Sequence, residues 1–142
     1  MVEETPKLLL DSSFVIALFY GNRESVDKAV SILPTLITVD HVYINNYILS
    51  EIVTVLSQRI GKKNAKDSLE TTQNNNIELI NVSRKVEGEA YDEFLKIEKK
   101  DISFADVVSV LHTKEKALDA VLTLDKHYLY LQKRYGVKMF CL

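Results

Sequence analysis

Short apolar runs alternate with longer segments of helical spacing along this chain, and this alternation restricts the fold more than any other feature. Each run is brief, rich in aliphatic residues and bounded by polar or turn-forming residues, which is typical of a buried strand. Between the runs, apolar residues recur three and four positions apart, which predicts helices. The four predicted strands are Leu8–Leu10, Ile77–Val82, Ala120–Leu124 and Val137–Leu142.

Strands that alternate with helices predict an α/β fold. We expect a single three-layer α/β/α domain over residues 1–142, with a small, mostly parallel central sheet covered by helices. Pro34 is predicted to end the second helix. In the third helix, Leu49, Ile52, Val53, Leu56 and Ile60 form the predicted buried stripe. The predicted helices span residues 14–20, 23–33, 45–60, 62–74, 86–99, 103–116 and 126–135.

Composition restricts the class of protein further. The chain has 142 residues, is 46% hydrophobic, and carries 18 basic and 20 acidic residues for a formal net charge of -2. These values are typical of a folded domain and argue against a generally basic nucleic-acid binder. The acids near the N-terminus argue against a signal peptide, and no apolar run is long enough to span a membrane. We therefore expect a soluble cytoplasmic protein without a membrane partner.

Acidic residues stand where a catalytic site of an α/β domain is expected. Asp11 and Asp125 each follow a predicted strand, Asp106 lies in the first turn of a predicted helix, and Glu51 lies opposite Leu49 on another helix. Ligands of open α/β sheets bind beyond the carboxyl ends of the strands. Clustered carboxylates there would suit Mg2+ or Mn2+, which prefer oxygen ligands. Zinc is disfavoured, because the chain has one Cys and three scattered His residues.

Each acid also has a structural interpretation. Asp11 and Asp125 are suited to cap the helices that follow them, and Asp106 fits a capping box with Ser103. Glu51 is equally compatible with a solvated helix surface. At the level of single residues both interpretations stay open, and the functional one gains from the combination of four acids.

Four short segments in a fixed order carry a resemblance to a known family. The first is a strand followed by an acid, hydroxyl residues and an apolar helix at Leu8–Leu18, and the second is a helical glutamate within Leu49–Val53. The third is a Ser-x-x-Asp helix start within Ile102–Val107, and the fourth is a strand that ends in Thr-x-Asp, with an aromatic residue soon after, within Leu122–Tyr128. In these segments the chain resembles PIN-domain nucleases. The resemblance implies that the expected α/β/α domain is PIN-like. Val107 departs from the pattern, since family members often carry Ala there. Asp101 lies nearby and matches no motif.

The resemblance implies a metal-dependent endoribonuclease, most like the VapC toxins of toxin–antitoxin pairs. It assigns Asp11, Glu51, Asp106 and Asp125 as the acids that hold one or two Mg2+ or Mn2+ ions. A metal-activated water would hydrolyse the RNA phosphodiester and leave a 5′-phosphate and a 3′-hydroxyl. Ser13 and Thr123 would support the site by hydrogen bonding. The implied partners are the RNA substrate, a cognate antitoxin and a second copy of the chain in a homodimer.

Residues that contact RNA are harder to identify from the sequence. Arg59, Lys62, Lys63 and Lys66 form a basic cluster suited to phosphates, although such clusters are more often solvated surface. Four aromatic residues could stack on bases, although packing in the core or in a dimer is expected for most of them: Tyr43, Tyr47, Tyr128 and Tyr130.

Two other functions remain as alternatives. The first is a phosphoryl-transfer domain of receiver or haloacid-dehalogenase type, which also places an Asp after its first strand. Against it, the chain lacks an acidic pair beside Asp11 and has Ser13 where a dehalogenase-type site needs an acid. The second is a PIN-like module that acts by protein contacts and has lost its catalysis. Against it, all four acids are present.

Overall fold

The computed structural model describes residues 5–142. The first four residues, on which part of the signal-peptide expectation rests, lie outside this range. Within it, the chain forms five strands and seven helices. The strands are β1 (Lys7–Leu10), β2 (His41–Asn45), β3 (Ile77–Ile80), β4 (Ala120–Thr123) and β5 (Met139–Cys141). The helices are α1 (Ser12–Phe19), α2 (Arg23–Leu36), α3 (Asn46–Ile60), α4 (Lys62–Asn74), α5 (Arg84–Lys96), α6 (Phe104–Glu115) and α7 (Tyr128–Tyr135).

The five strands form one sheet in the order β3-β2-β1-β4-β5, and every pair of neighbours is parallel. Parallel strands need crossover connections, which are right-handed in nearly all proteins. This handedness puts α1 to α4 on one face of the sheet and α5 to α7 on the other. The predicted three-layer α/β/α fold with a small central sheet is confirmed.

The centre of the sheet is the most deeply buried part of the core. β1 pairs with β4 so that Leu9 lies beside Val121 and Leu10 beside Leu122. Leu9, Leu10 and Val121 have no exposed surface. Such aliphatic strands, covered by helices on both faces, are stabilised mainly by the removal of apolar area from water. The rigid centre therefore fixes the positions of the residues that follow β1 and β4.

The strand β2 is absent from the sequence-based prediction. Its residues, His41-Val42-Tyr43-Ile44-Asn45, form a run of only five, and no turn separates them from α3. The last residue of the strand, Asn45, is also the residue that caps α3. The prediction therefore assigned Asn45 to the helix and left the preceding residues without structure.

Two predictions within the helices are wrong. Pro34 lies inside α2, which continues to Leu36, because a proline in the last turn costs few hydrogen bonds. In α3 the buried residues are Ile48, Ile52 and Leu56, whereas Val53 is 40% exposed. The helix is therefore rotated from the predicted stripe toward Ile48.

The remaining elements match the prediction with shifts at their ends, for example α5 at Arg84–Lys96 in place of 86–99. Over residues 5–142, no helix has both the length and the apolar character needed to cross a membrane.

Candidate active site

The candidate site lies at the carboxyl ends of β1 and β4, where the order of strands reverses. From β1 the chain continues to one face of the sheet, and from β4 it continues to the other. Ligands of open α/β sheets bind in the crevice at such a switch point. Asp11 follows β1 directly, and Asp125 lies two residues beyond Thr123, the end of β4. The Asp11 amide donates a 2.9 Å hydrogen bond to the Leu122 carbonyl, which joins the two strand ends.

The carboxylate of Asp11 is buried, and both of its oxygens accept hydrogen bonds. Oδ2 accepts from the Ser13 hydroxyl, from the Ser13 amide at 3.3 Å and from the Thr123 hydroxyl at 2.9 Å. Oδ1 accepts from the Tyr128 hydroxyl at 2.9 Å. Asp11 also caps α1 through the Ser13 amide, as the structural interpretation predicts. Its orientation is therefore set by residues that are distant in sequence.

Ser13 and Thr123 connect the two acids that follow the strands. The Ser13 hydroxyl accepts a 3.0 Å hydrogen bond from the Leu124 amide, and the Thr123 hydroxyl accepts a 2.9 Å bond from the Asp125 amide. The two hydroxyls lie 3.2 Å apart. They therefore hold the loop after β4 against the start of α1, which is compatible with the supporting role predicted for them.

Tyr128 belongs to this network and is unavailable for stacking on bases. It lies at the start of α7 and is 1% exposed, so of the two interpretations given for it, core packing is correct and base stacking is excluded. Burial, followed by the nearby charges of Asp11 and Asp106, raises its pKa well above the ordinary value. Tyr128 therefore stays protonated and acts as a donor to Asp11. The aromatic residue of the fourth sequence motif was the available signal for this position.

Asp106 is a buried acid that also caps its own helix. Its amide donates to the Ser103 hydroxyl at 3.1 Å, and its carboxylate accepts from the Ser103 amide at 3.2 Å, which completes a capping box at the start of α6. Burial raises its pKa to about 6, with a contribution from the charge of Asp11, although the hydrogen bonds from Ser103 oppose the shift. The structural interpretation of Asp106 as a helix cap is correct, and the pKa of its carboxyl is also raised by the charges of Asp11 and Asp125.

Asp125 is oriented by a histidine that bridges it to a further acid. Its Oδ1 lies 2.9 Å from His127 Nδ1 and accepts a 2.9 Å hydrogen bond from the His127 amide. On the other side of the ring, His127 Nε2 lies 3.1 Å from Asp101 Oδ2, which Lys99 Nζ approaches to 3.9 Å. Asp101 matches no sequence motif, and nothing in the sequence around His127 indicated that it would contact two acids.

Glu51 reaches the site from α3 and remains exposed. Partial burial raises its pKa, and the charges of Asp11 and Asp125 add to this shift, while a hydrogen bond from the Ser12 hydroxyl opposes it. The influence of Asp11 and Asp125 on the pKa of Glu51 is compatible with a position of Glu51 at the same edge of the sheet. Charge thus couples Glu51 and Asp106 to Asp11 and Asp125, and the catalytic role of the four acids stays a prediction.

The chemistry of the four acids fits a hard divalent cation. All of them offer carboxylate oxygens, which Mg2+ and Mn2+ prefer. The charges of Asp11 and Asp125 contribute to the raised pKa values of Glu51 and Asp106, and a bound cation would offset this repulsion. Over residues 5–142, no three Asp, Glu, His or Cys side chains converge closely enough to hold a metal ion. Ligation would therefore require their side chains to turn toward a shared centre.

The sequence also matches a family model described as PIN domain, over residues 8–134. No curated protein matches the sequence. The residues matched by the PIN-domain model include all four motifs and all four acids.

Several solved structures share the fold. A toxin of Mycobacterium tuberculosis, VapC20, which cleaves the sarcin-ricin loop, superposes with a TM-score of 0.78 at 18% identity over 88% of this chain and 95% of its own. VapBC2 of Rickettsia felis, solved with a DNA fragment of its promoter, gives 0.71 at 15% identity over 94% and 97% of the two chains. A FitAcB structure from Neisseria gonorrhoeae gives 0.69 at 18% identity over 94% and 96%. At these identities the likeness establishes the fold alone.

Proposed function

Because the chain belongs to the PIN-domain family, we propose that it is an endoribonuclease that requires Mg2+ or Mn2+ and hydrolyses RNA phosphodiesters. The observation that supports this proposal is that Asp11 and Asp125 follow the two strands of the switch point and that their charges contribute to the raised pKa values of Glu51 and Asp106. Burial is the largest cause of both shifts. The carboxylates of Asp11 and Asp106 are buried, which is costly unless a cation or hydrogen bonds compensate their charges, so the arrangement is better explained by function than by stability.

The residues divide into those that would hold the metal and those that orient them. Asp11, Glu51, Asp106 and Asp125 would hold one or two ions. Ser13, Thr123 and Tyr128 donate to Asp11 and keep its charge directed into the site.

When bound, Mg2+ or Mn2+ lowers the pKa of water and stabilises charge on the attacking and leaving oxygens of a phosphodiester. His127 holds the carboxylate of Asp125 from outside this centre. Hydrogen bonds to metal-ligating carboxylates commonly determine metal affinity, so these orienting residues belong to the functional unit.

We further propose that the protein is the toxin of a toxin–antitoxin pair. The similarity to VapC20 and to the toxin–antitoxin complexes supports this, since the fold is shared over most of both chains. On this proposal a cognate antitoxin binds the protein and restrains it, the protein forms a homodimer, and it acts on RNA in the cytoplasm.

Incubation of the purified chain with a pool of structured and unstructured RNAs tests the reaction. We expect cleavage with Mn2+ or Mg2+ and none in EDTA. The double variant Asp11→Asn/Asp106→Asn should lose activity by a factor on the order of 100 or more, because its carboxylates carry the cation. Asp92→Asn, which changes an exposed acid on α5, serves as the matched control and should cleave like the wild type. Cleavage that survives in EDTA or in the double variant would contradict the proposal.

The structure disfavours the receiver alternative. Receiver domains have the strand order 2-1-3-4-5, whereas this sheet has the order β3-β2-β1-β4-β5. A haloacid-dehalogenase site needs an acid two residues after its nucleophile, and Ser13 stands there with its hydroxyl bonded to Asp11. A silent module would show no metal-dependent cleavage in the same experiment.

A further inference from the structure

A cleft of about 440 Å³ opens from the candidate active site along α1. This volume lies in the range of small-ligand sites. One end of the cleft is formed by site residues and the other by the turn between α1 and α2. The residues at the two ends are Ser13, Leu124 and Asp125 on one side, and Tyr20, Asn22 and Ser25 on the other.

The lining of the cleft combines apolar residues, Ile16, Ala17 and Leu124, with uncharged polar groups, and it is almost without charge. Asp125 is the one charged side chain among the residues that line it. At the far end, the Asn22 side-chain oxygen is occupied because it accepts a 2.9 Å hydrogen bond from the Ser25 amide and caps α2. The Asn22 amide nitrogen and the hydroxyls of Tyr20 and Ser25 make no protein hydrogen bond within residues 5–142. These uncharged groups are suited to the edge of a nucleobase rather than to a phosphate.

A cation stands beside the aromatic ring at the far end. The Arg59 guanidinium carbon lies 5.9 Å from the centre of the Tyr20 ring, and Tyr20 is 42% exposed. Arg59 is itself exposed, and no carboxylate of the described residues lies within 4.0 Å of it in an ion pair. An exposed ring beside an unneutralised guanidinium is the combination with which proteins bind single-stranded nucleic acid. Tyr20 lines the far end of the cleft, and Arg59 lies beside it outside the lining, where it could reach a ligand that occupies the cleft.

We propose that this cleft binds an unpaired nucleoside next to the scissile phosphate, with its base against Tyr20 and its distal phosphate at Arg59. The inference rests on the proposed function and specifies its substrate. A nucleoside in a chain is a neutral base between two phosphates. The cleft is neutral in the middle, has Arg59 at one end, and has at the other the acids that would hold a cation. The two patterns of charge are complementary.

This placement restricts the substrate to unpaired RNA at the cut. A base in a duplex is stacked on both sides and cannot enter a cleft against Tyr20. RNA loops and single strands present such bases. Tyr20 and Arg59 are then residues that determine substrate choice, distinct from the four acids.

Equilibrium binding of a fluorescent, unstructured 12-nucleotide RNA in Mg2+ provides the first test, with Tyr20→Leu and Arg59→Gln. Tyr20→Leu should weaken binding roughly 10-fold, because base–aromatic stacking is lost. Arg59→Gln should lower the slope of log Kd against log salt by roughly 0.7, the value for one phosphate contact of a single strand. Tyr20→Leu should leave this slope unchanged. Arg84→Gln, an exposed arginine at the start of α5, is the control and should change neither quantity.

Steady-state cleavage provides the second test. For Tyr20→Leu we expect KM to rise roughly 10-fold with kcat within about 2-fold of the wild type, because the lost stacking acts on binding. The base preference beside the cut, read by sequencing the products of a random RNA pool, should flatten. A Tyr20→Phe variant should keep most of the affinity, with KM within about 2-fold of the wild type, since the ring is retained for stacking.

The outcomes separate the two proposals. If the wild type cleaves RNA but Tyr20→Leu and Arg59→Gln leave KM, Kd and the salt slope unchanged, the cleft proposal is overturned and the nuclease proposal stands. If the wild type cleaves no RNA but binds it through Tyr20 and Arg59, the cleft stands and the reaction is overturned. If the wild type binds no RNA in Mg2+, the cleft proposal is overturned. Arg59 is exposed, so Arg59→Gln should fold normally. If Tyr20→Leu folds poorly, the salt slope of Arg59→Gln still tests the proposal.

Discussion

Asp106 combines two roles that oppose each other at neutral pH. As the third residue of α6 it stabilises the helix through its capping box with Ser103. As a buried carboxylate near Asp11 it is destabilised in its ionised form, and its pKa of about 6 reflects this. In the protein without metal, the protonated carboxyl can cap the helix and avoids a buried charge. With a bound cation, the ionised carboxylate could do both.

Replacing Asp106 by Asn should therefore stabilise the metal-free protein at neutral pH. The carboxyl of Asp106 has an ordinary pKa of 3.8 when unfolded and about 6 when folded. The stability that its proton contributes is present below about pH 3.8 and is lost as the pH rises to about 6. Above this range Asp106→Asn should raise the free energy of unfolding by up to about 3 kcal/mol, the equivalent of the shift. Urea unfolding in EDTA at pH 4 and pH 7.5 measures it.

At pH 4 the two proteins should differ little, since Asp106 is then largely protonated and its amide substitute can still accept from the Ser103 backbone. Equal stability of the variant and the wild type at pH 7.5 would contradict the burial and charge coupling described for Asp106.

The His127 ring contacts Asp125 through Nδ1 and Asp101 through Nε2. Substitution by asparagine or by glutamine tests these two contacts one at a time. Asparagine places a side-chain nitrogen near the position of Nδ1, which faces Asp125, and glutamine places one near Nε2, which faces Asp101. His127→Gln should reduce kcat/KM and Mn2+ affinity roughly 10-fold, as is common for lost contacts behind a metal ligand. His127→Asn should retain most of both. Metal titration by calorimetry and cleavage assays measure the effect.

If His127→Gln and His127→Asn lose affinity to the same extent, the contact with Asp125 is not the one that matters. Asp101→Asn supplies a further check, since it weakens the outer contact without touching Asp125.

At the scale of elements, one residue links β2, α3 and α6. Asn45 is fully buried, ends β2 and caps α3 by accepting a 2.9 Å hydrogen bond from the Ile48 amide. Its amide nitrogen donates to the Ser109 hydroxyl at 3.2 Å and lies 3.3 Å from His112 Nδ1. Burial lowers the pKa of His112, so this ring is neutral. The link fixes α3, which carries Glu51, relative to α6, which carries Asp106.

Asn45→Ala should lower the free energy of unfolding by about 2–4 kcal/mol, because it removes a helix cap and leaves buried polar partners unsatisfied. Thermal and urea denaturation at pH 7.5 measure the loss. Asn74→Ala, at the exposed end of α4, is the control and should change stability by no more than about 0.5 kcal/mol. A similar small change for Asn45→Ala would show that neighbouring groups replace its hydrogen bonds.

At the scale of the whole molecule, the distribution of charge matters more than its sum. The formal net charge is -2, so the four candidate acids, when ionised, leave +2 on the rest of the chain. Without metal, the site repels phosphates although other surfaces attract them. With a divalent cation the repulsion is removed. A near-neutral chain is therefore compatible with an RNA substrate that binds after the metal.

RNA affinity should consequently depend on the cation. Binding of the 12-nucleotide RNA in EDTA should be at least roughly 10-fold weaker than in Mg2+, since close charge contacts are worth about 1–2 kcal/mol each at the surface. Asp11→Asn/Asp106→Asn should bind RNA more tightly than the wild type in EDTA, because two repelling charges are removed. Fluorescence anisotropy under both conditions measures this. Equal affinity of the wild type in EDTA and Mg2+ would contradict it.

Much of the fold could be predicted from the sequence because its determinants are local. The aliphatic runs of β1 and β4 and the capping box at Ser103 act over a few residues and leave a readable pattern. β2 was missed because its five residues run into α3 at Asn45 without a turn. The buried face of α3 was also missed, since its apolar residues surround much of the helix and only packing selects Ile48 over Val53.

The sequence by itself determined that the chain is an α/β domain and which acids end its strands, because period, length and flanking residues act locally. The tertiary structure decided what surrounds those acids. Thr123 and Tyr128 lie 112 and 117 positions from Asp11 in the chain, yet both donate to its carboxylate. The ring of His127 contacts both Asp101 and Asp125, and Tyr20, at the end of α1, lines a cleft. These contacts arise because parallel pairing places β1 beside β4, and hydrogen bonds and charges act across space rather than along the chain.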